Sequence, residues 1–205
     1  MNLLHIDSSI LGEQSATREL GAAWVARWQL RNPDGAVRHV DLAREPLAHL
    51  SVDVFAARDA IDATRNASLQ RDVDADRAAL DAFLAADTIV IGAPMYNFSI
   101  PSQLKAWIDR IVVAGKTFRY TANGPEGLAK DKKAVLLIGR GGVYSDGPAA
   151  PMDFQETYLR NVLGFIGITD VEVIRAEGLS MGAETRAAAI DAAHRVIAAP
   201  LPLAA

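Results

Sequence analysis

The chain has 205 residues, half of them hydrophobic, with 21 lysines and arginines against 25 acidic residues, a net charge of −4 and no cysteine. This is the balance of one globular domain with a closed core, far from the regime of disordered chains. No basic run is present to neutralise a series of phosphates, which excludes nucleic acid as an expected partner. The lack of cysteine removes disulfides, thiolate nucleophiles, thiolate-bound zinc and iron–sulfur clusters, so any redox chemistry requires a bound organic cofactor.

The N-terminal MNLLHIDSSI has no basic region ahead of its short apolar run and does not read as a signal peptide. No stretch approaches the ~18 unbroken apolar residues of a membrane span. A soluble, cytoplasmic protein without a membrane partner is expected.

In chain order, a β-rich run at Asn2–Ile6 is followed by a helical stretch at Thr17–Arg31 and a second strand at Ala36–Leu42. A broken pair of helices is expected within Val52–Ala86, and in its second member Leu69, Val73, Leu80 and Leu84 recur at helical spacing. The third strand, Thr88–Ala93, shows no polar alternation, the pattern of a strand covered on both faces in a parallel sheet. A helix at Ser102–Val113, a strand at Ala134–Gly139, a helix at Asp153–Ile166, a strand at Val171–Ala176 and a helix at Ala183–Ala198 complete the series, before a Pro/Ala tail, APLPLAA, that reads as an exposed end. Strand–helix alternation repeated in this way predicts one α/β domain over residues 1–205. The expected form is a flavodoxin-like, doubly wound, five-stranded parallel sheet of order 2-1-3-4-5 with helices on both faces. Its ligand belongs beyond the carboxyl ends of strands 1, 3 and 4.

The loop after strand 1, Asp7–Thr17, carries four hydroxyls and opens onto a helix. Free N–H groups and the positive end of the helix dipole attract a phosphate, and Ser9, Ser15 and Thr17 add donors. The plainer alternative is that Ser15 or Thr17 caps the helix. Neither G-x-G-x-x-G nor a triphosphate-binding loop is present, so a monophosphate such as that of FMN fits best. After strand 3, Pro94–Pro101 holds Met95, Tyr96, Asn97 and Phe98, apolar and aromatic walls with an amide suited to a flat ring, or simply a plug between strand and helix. After strand 4, Gly139-Arg140-Gly141-Gly142 lets backbone approach a ligand closely, while Arg140 reads first as a solvated loop residue and second as charge near a reduced flavin.

Gly178-Leu179-Ser180-Met181-Gly182 matches the serine-hydrolase elbow G-x-S-x-G, but only Asp191 and His194 follow it, both on the last expected helix, where they cannot complete a triad. His5 is expected to be a hydrogen-bonded structural histidine, and His39, His49 and His194 lack metal-ligand spacing, so no metal is expected. Trp107 and the LGFIGI run suit either core or a partner surface.

At APMYNF (Ala93–Phe98), TFRYTANGPEGL (Thr117–Leu128), RGG (Arg140–Gly142), DGP (Asp146–Pro148) and LGFIGITDV (Leu163–Val171), the sequence resembles the FMN-dependent NADH-azoreductase family over nearly its whole length. The resemblance implies FMN held by Ser9, Ser15, Ala16 and Thr17 at its phosphate and ribityl tail, and by Met95, Tyr96, Asn97, Phe98, Gly139, Arg140, Gly141 and Gly142 at its ring. It further implies a cytoplasmic homodimer with ping-pong kinetics, NADH or NADPH as donor, and a quinone or azo compound as acceptor. No protein residue is expected to be catalytic, because FMN carries the chemistry. Tyr120, Tyr144 and Val162 are the expected residues of the acceptor cavity. Three positions depart from the family pattern: Ser15-Ala16-Thr17 replaces a more serine-rich run, Gly139 stands where serine is common, and Val162 replaces an aromatic. The first two bear on FMN affinity and the third on acceptor preference. A flavodoxin-type electron carrier without its own nicotinamide chemistry is the competing reading.

Overall fold

The computed structural model describes residues 1–58 and 66–199. The APLPLAA tail beyond Ala199 and part of the break within Val52–Ala86 lie outside the described residues. Strands β1 (Asn2–Asp7), β2 (Ala36–Asp41), β3 (Thr88–Pro94), β6 (Lys133–Gly139) and β7 (Asp170–Ala176) form one parallel sheet in the order β2-β1-β3-β6-β7. Counted among themselves, these five strands have the expected order 2-1-3-4-5.

The sequence predicts no strands within TFRYTANGPEGL, yet β4 (Phe118–Thr121) and β5 (Gly124–Gly127) pair there as an antiparallel hairpin outside the main sheet. Exposed Arg119, Tyr120 and Thr121 break the alternation by which a half-buried strand is recognised. The hairpin lies so close to the turn after the fifth helix that a Cβ on Gly127 would meet the Gly167 backbone nitrogen at 2.2 Å.

Two apolar layers flank the sheet. On one face, α1 (Ala16–Arg31) and α6 (Ala183–Ala198) close over Leu3, Val90, Val135, Leu137 and Ile174. On the other, α3 (Ala67–Ala85), α4 (Ser102–Ile111) and α5 (Phe154–Phe165) close over Leu4, Ile6, Ile89, Ile91, Leu136 and Ile138. Every residue of β3 is buried, as a central strand covered on both sides requires, and each such Ile or Val contributes about 1.5–3 kcal/mol. Trp107, Leu163, Ile166 and Ile168 are core residues, whereas Phe165 of the same LGFIGI run is 37% exposed.

A short helix, α2 (Val52–Ala57), precedes α3. The expected apolar stripe of α3 holds at buried Val73 and at partly buried Leu69 and Leu80, and departs at Leu84. Leu84 is 38% exposed, whereas Val73, Asp76 and Phe83 are buried. Asp76 interrupts the apolar pattern yet faces inward, where Arg58 and Arg110 both bind it, at 3.0 and 3.1 Å. Among the described residues no helix is long and apolar enough to cross a membrane.

Candidate cofactor site

The carboxyl ends of β1, β3 and β6 bring three loops to one edge of the sheet. In the first, β1 ends at Asp7, and Ser8 turns inward so that its hydroxyl donates to the Gly92 carbonyl at 2.6 Å, a structural role. Ser9 is buried, with its hydroxyl accepting the Leu11 N–H at 3.3 Å and standing 3.4 Å from the Tyr96 hydroxyl. A single 3-10 turn, Gly12–Gln14, leads to Ser15, whose side chain accepts the Arg18 N–H at 3.3 Å and caps α1. Ser15 is thus the helix cap, and its hydroxyl also lies 3.1 Å from that of buried Thr17. The N–H groups of Ala16 and Thr17 open α1 and have no partner within the helix, as at any helix start.

In the second loop, the N–H of Tyr96 donates to the Ser99 carbonyl and that of Ser99 to the Tyr96 carbonyl, at 2.9 and 3.1 Å, closing a two-residue turn. Asn97 and Phe98 at its tip have φ of 49° and 70°, the signature of a type I′ turn that ordinarily selects Asn-Gly. Asn tolerates this region; Phe does not, at about 1–2 kcal/mol. Such strain persists where the surroundings hold it, and it marks functional loops. Here the Phe98 carbonyl accepts the Phe154 N–H at 3.1 Å, and its ring meets Tyr144 edge-on at 6.2 Å. Phe98→Gly is expected to be about 1 kcal/mol more stable than Phe98→Ala in urea denaturation, the reverse of the usual order of these residues. An unchanged or inverted difference would show that the turn relaxes.

Tyr96 does more than form a wall. Its hydroxyl accepts the Ile10 N–H at 3.1 Å, so the residue ties the second loop to the first.

In the third loop, Arg140 departs from its expected solvated role. It is 1% exposed, and its guanidinium donates to Gln155 Oε1 at 2.9 Å, Glu177 Oε1 at 3.0 Å and Asp153 Oδ2 at 2.6 Å. Gln155 in turn donates to the Ala93 carbonyl at 2.8 Å, linking β3 to the Arg140 loop. Glu177 also accepts the N–H groups of Tyr144 and Ser145, at 2.8 and 3.0 Å, and the Ser145 hydroxyl. Burial disfavours the Glu177 carboxylate, but the bonds from Ser145, Tyr144 and Arg140 outweigh it and hold its carboxyl below the usual range. Arg140 is therefore a strut whose charge is already matched, not a free charge for the ring.

The G-x-S-x-G stretch is the outer brace of this loop. Gly178, Leu179 and Ser180 donate their N–H groups to the carbonyls of Gly142, Arg140 and Gly141, at 2.9, 3.0 and 2.9 Å. A side chain at Gly141 would meet Ser180 Oγ at 2.9 Å. His194 pairs instead with Glu19 at 2.8 Å. No elbow chemistry survives this arrangement.

Of the cavity residues, Tyr144 stands beside Phe98, while Tyr120 is 75% exposed on the hairpin and stacks edge-on with Phe118 at 5.4 Å. Val162 packs against the core from α5. Within one chain, Tyr120 makes its ring contact with Phe118, away from the Phe98–Tyr144 pair.

Sequence reasoning missed Asp153, Gln155 and Glu177. The available signal was a carboxylate directly after strand β7, beside an arginine directly after β6. It also missed Arg18, which grips Asp41 through two hydrogen bonds of 2.7 Å. That hydrogen-bonded guanidinium outweighs burial and lowers the Asp41 pKa from 3.8 to about 2. A depressed carboxyl contributes stability above its unfolded pKa and loses it as pH falls through the folded value. Acid unfolding between about pH 4 and 2 should therefore be shallower in Asp41→Asn than in the parent, while an identical profile would place the pair's contribution elsewhere.

His5 also departs from expectation: it is buried, but its Nε2 has no hydrogen-bond partner. His39, expected to lack any partner for a metal, lies beside it and Asp7.

A doubly wound sheet whose ligand-binding edge combines a helix start, a strained aromatic turn and a glycine loop defines a flavodoxin-type cofactor-binding protein. The family described as having a flavodoxin-like fold matches residues 1–201. An FMN-dependent NADH:quinone oxidoreductase of Sinorhizobium fredii is 59% identical over 198 residues, covering 97% of this chain and 96% of that protein. The FMN-dependent NADH:quinone oxidoreductase 2 of Pseudomonas aeruginosa is 56% identical over 199 residues, with 97% of each covered. The solved azoreductase of Bacillus anthracis superposes with a TM-score of 0.83 at 34% identity, covering 96% of this chain and 98% of that one. The chain belongs to this flavodoxin-like family and, within it, to the FMN-dependent NADH:quinone oxidoreductases and azoreductases.

Proposed function

We propose that this chain is an FMN-dependent oxidoreductase that passes two electrons at a time from NADH or NADPH to quinones and reductively cleaves aromatic azo compounds. One observation carries the reading: the start of α1 with buried Ser9, Ser15 and Thr17, the Asn97–Phe98 turn and the Gly139–Gly142 loop lie at one sheet edge. The donor set fits FMN. Amides of Ala16 and Thr17 with three hydroxyls suit a single phosphate, and the lack of a dinucleotide glycine turn excludes a pyrophosphate there. Met95, Tyr96, Asn97 and Phe98 would wall a flat ring from one side, and Gly141 and Gly142 would admit it to backbone N–H groups from the other.

When bound, FMN supplies hydride acceptance from the nicotinamide and hydride donation to the acceptor. The chain's own residues orient and shield. Phe98 and Tyr144, in edge-on contact, would flank the bound ring, and Arg140, through Gln155 and Glu177, fixes the glycine loop. Protons are drawn from water. On this reading the nicotinamide leaves before the acceptor enters the same site, which would give ping-pong kinetics, and an azo bond would need two such turns.

We further propose a homodimer, in which the exposed Tyr120 hairpin and the α5 face bearing Val162 line the acceptor cavity together with Tyr144. Tyr120→Ala should then raise the acceptor KM about tenfold while leaving NADH oxidation by oxygen unchanged. Unchanged acceptor kinetics would remove Tyr120 from the cavity.

The deciding experiment is an anaerobic spectrum of the purified protein. A bound yellow flavin bleached by NADH or NADPH and restored by a quinone is expected, with parallel double-reciprocal plots. A colourless protein that takes up no FMN would overturn the cofactor. A flavin that neither nicotinamide bleaches would mark an electron carrier. A monomer by light scattering that still turns over would overturn the shared cavity.

A further inference from the structure

The carboxyl ends of β1 and β2 hold a group of side chains that the cofactor cradle does not use. Parallel pairing sets His5 opposite His39, and the two-residue period of a strand turns His5, Asp7 and His39 to the same face. The two imidazoles stack at 4.8 Å between centroids and 28° between planes. Asp7 reaches both: its Oδ2 is 2.9 Å from His39 Nε2, and its Oδ1 is 3.6 Å from His5 Nε2. One donor atom from each of the three residues lies within 4.8 Å of the others.

His5 and Asp7 are 6% and 4% exposed, and His5 Nε2 and Asp7 Oδ1 are buried without any hydrogen-bond partner. Buried polar atoms are nearly always satisfied, so two unmet atoms facing each other mark the place of a missing partner. We propose that His5, Asp7 and His39 bind a divalent transition ion of the zinc class, with water completing its coordination.

The donor set selects the ion. Two neutral imidazoles and a carboxylate suit a borderline-soft ion, whereas magnesium and calcium call for oxygen ligands throughout. Bonds of about 2.0–2.2 Å in a tetrahedron place ligand atoms about 3.3 Å apart. Asp7 meets His39 through Oδ2 at 2.9 Å and His5 through Oδ1 at 3.6 Å, so a modest turn of the carboxylate presents one oxygen to an ion shared by both rings. The remaining edge closes by movement of His39, whose side chain is half exposed.

Charge permits the ion. Arg18 Nη1 stands 3.5 Å from Asp7 Oδ2, but Asp41 holds the same guanidinium at 2.7 Å, so two carboxylates face one cation before the ion arrives. A cleft of about 630 Å³, lined by His39, Arg18, Asp41 and Ser9, opens His39 to solvent, while His5 and Asp7 lie behind it. The bound ion would fasten β2 to β1 immediately before the Ser8–Ser9 turn.

The protein as purified, treated with chelator and returned to metal-free buffer, is titrated with zinc chloride and separately with cobalt chloride. We expect saturable uptake of one ion per chain, the intense visible bands of four-coordinate cobalt, and a zinc-dependent rise in Tm that excess magnesium does not reproduce. Because His5 and Asp7 are buried, the variant of choice is His39→Ala, which should weaken zinc binding by more than about tenfold at unchanged flavin content. His49→Ala and His194→Ala should bind zinc as the parent does. The proposal is overturned by the absence of saturable uptake, by uptake that survives His39→Ala undiminished, or by uptake lost in His49→Ala or His194→Ala.

Discussion

Arg140→Ala is expected to cost about 3–5 kcal/mol of folding stability and to abolish flavin retention. The magnitude follows from what would be left behind. Asp153 and Glu177, at 2.6 and 3.0 Å from the guanidinium, would face each other across the space it vacated. Gln155 Oε1 would lose its donor while its amide remained committed to Ala93. Glu177 keeps its carboxyl charged only because hydrogen bonds, that of Arg140 among them, outweigh its burial. Its depressed pKa contributes stability above the usual carboxylate range and loses it as pH falls below; removing Arg140 shrinks that contribution at neutral pH. Arg140→Lys should recover little, since the donors of an ammonium sit on one nitrogen and cannot reach acceptors spread around Nε, Nη1 and Nη2 of a planar fork. Urea denaturation and flavin content would be measured on the same preparations. Lost flavin with intact stability would show that Arg140 serves the ligand directly and is no strut.

Gly139→Ala is expected to cost about 1–3 kcal/mol and to weaken FMN binding, with much of the loss restored in the Thr17→Ser background. A Cβ built at Gly139 would stand 2.8 Å from Thr17 Cγ2. Neither residue has room to withdraw. Gly139 pairs with Pro94 on one side and Ala176 on the other, and Thr17 is buried in the first turn of α1. Serine at position 17 lacks the obstructing methyl. Two departures from the family pattern, the threonine in the phosphate loop and the glycine in place of a common serine, are thus one packing solution seen from two loops. A double-mutant cycle in stability and in FMN affinity measures the coupling, expected at about 1–2 kcal/mol. Additive effects would mean that the loops move apart and that the two positions are independent.

At the hydrolase-like motif, local sequence and tertiary placement divide the work. Gly178–Gly182 lacks a triad because the Asp191 and His194 that follow it lie on the last helix, and His194 pairs with Glu19. What the stretch does instead, bracing the glycine loop through three backbone hydrogen bonds, depends on a neighbour nearly forty positions earlier that no local pattern announces. The expected stripe of α3 holds at Val73 and misses at Leu84 for a related reason. Asp76 looks like a solvent-facing residue until Arg58 and Arg110 are placed beside it, and with Asp76 inside, Phe83 faces the core and Leu84 is exposed.

The sequence by itself determined the alternation of strands and helices, the order of the main sheet and the three loops at its carboxyl edge. The alternation and the loops follow from hydrophobic period and turn chemistry, which act over a few residues and are written locally, and the order is the common one of the fold class that the alternation selects. Only the tertiary structure decided that Arg140 is buried among carboxylates, that Tyr96 ties two loops together, that Thr17 and Gly139 share one space, and that His5, Asp7 and His39 converge. Each of these depends on strand register and helix docking, where side chains distant along the chain meet at hydrogen-bond distance. A periodicity cannot specify which of them will meet, because it fixes the face a residue occupies but not the neighbour that face is packed against.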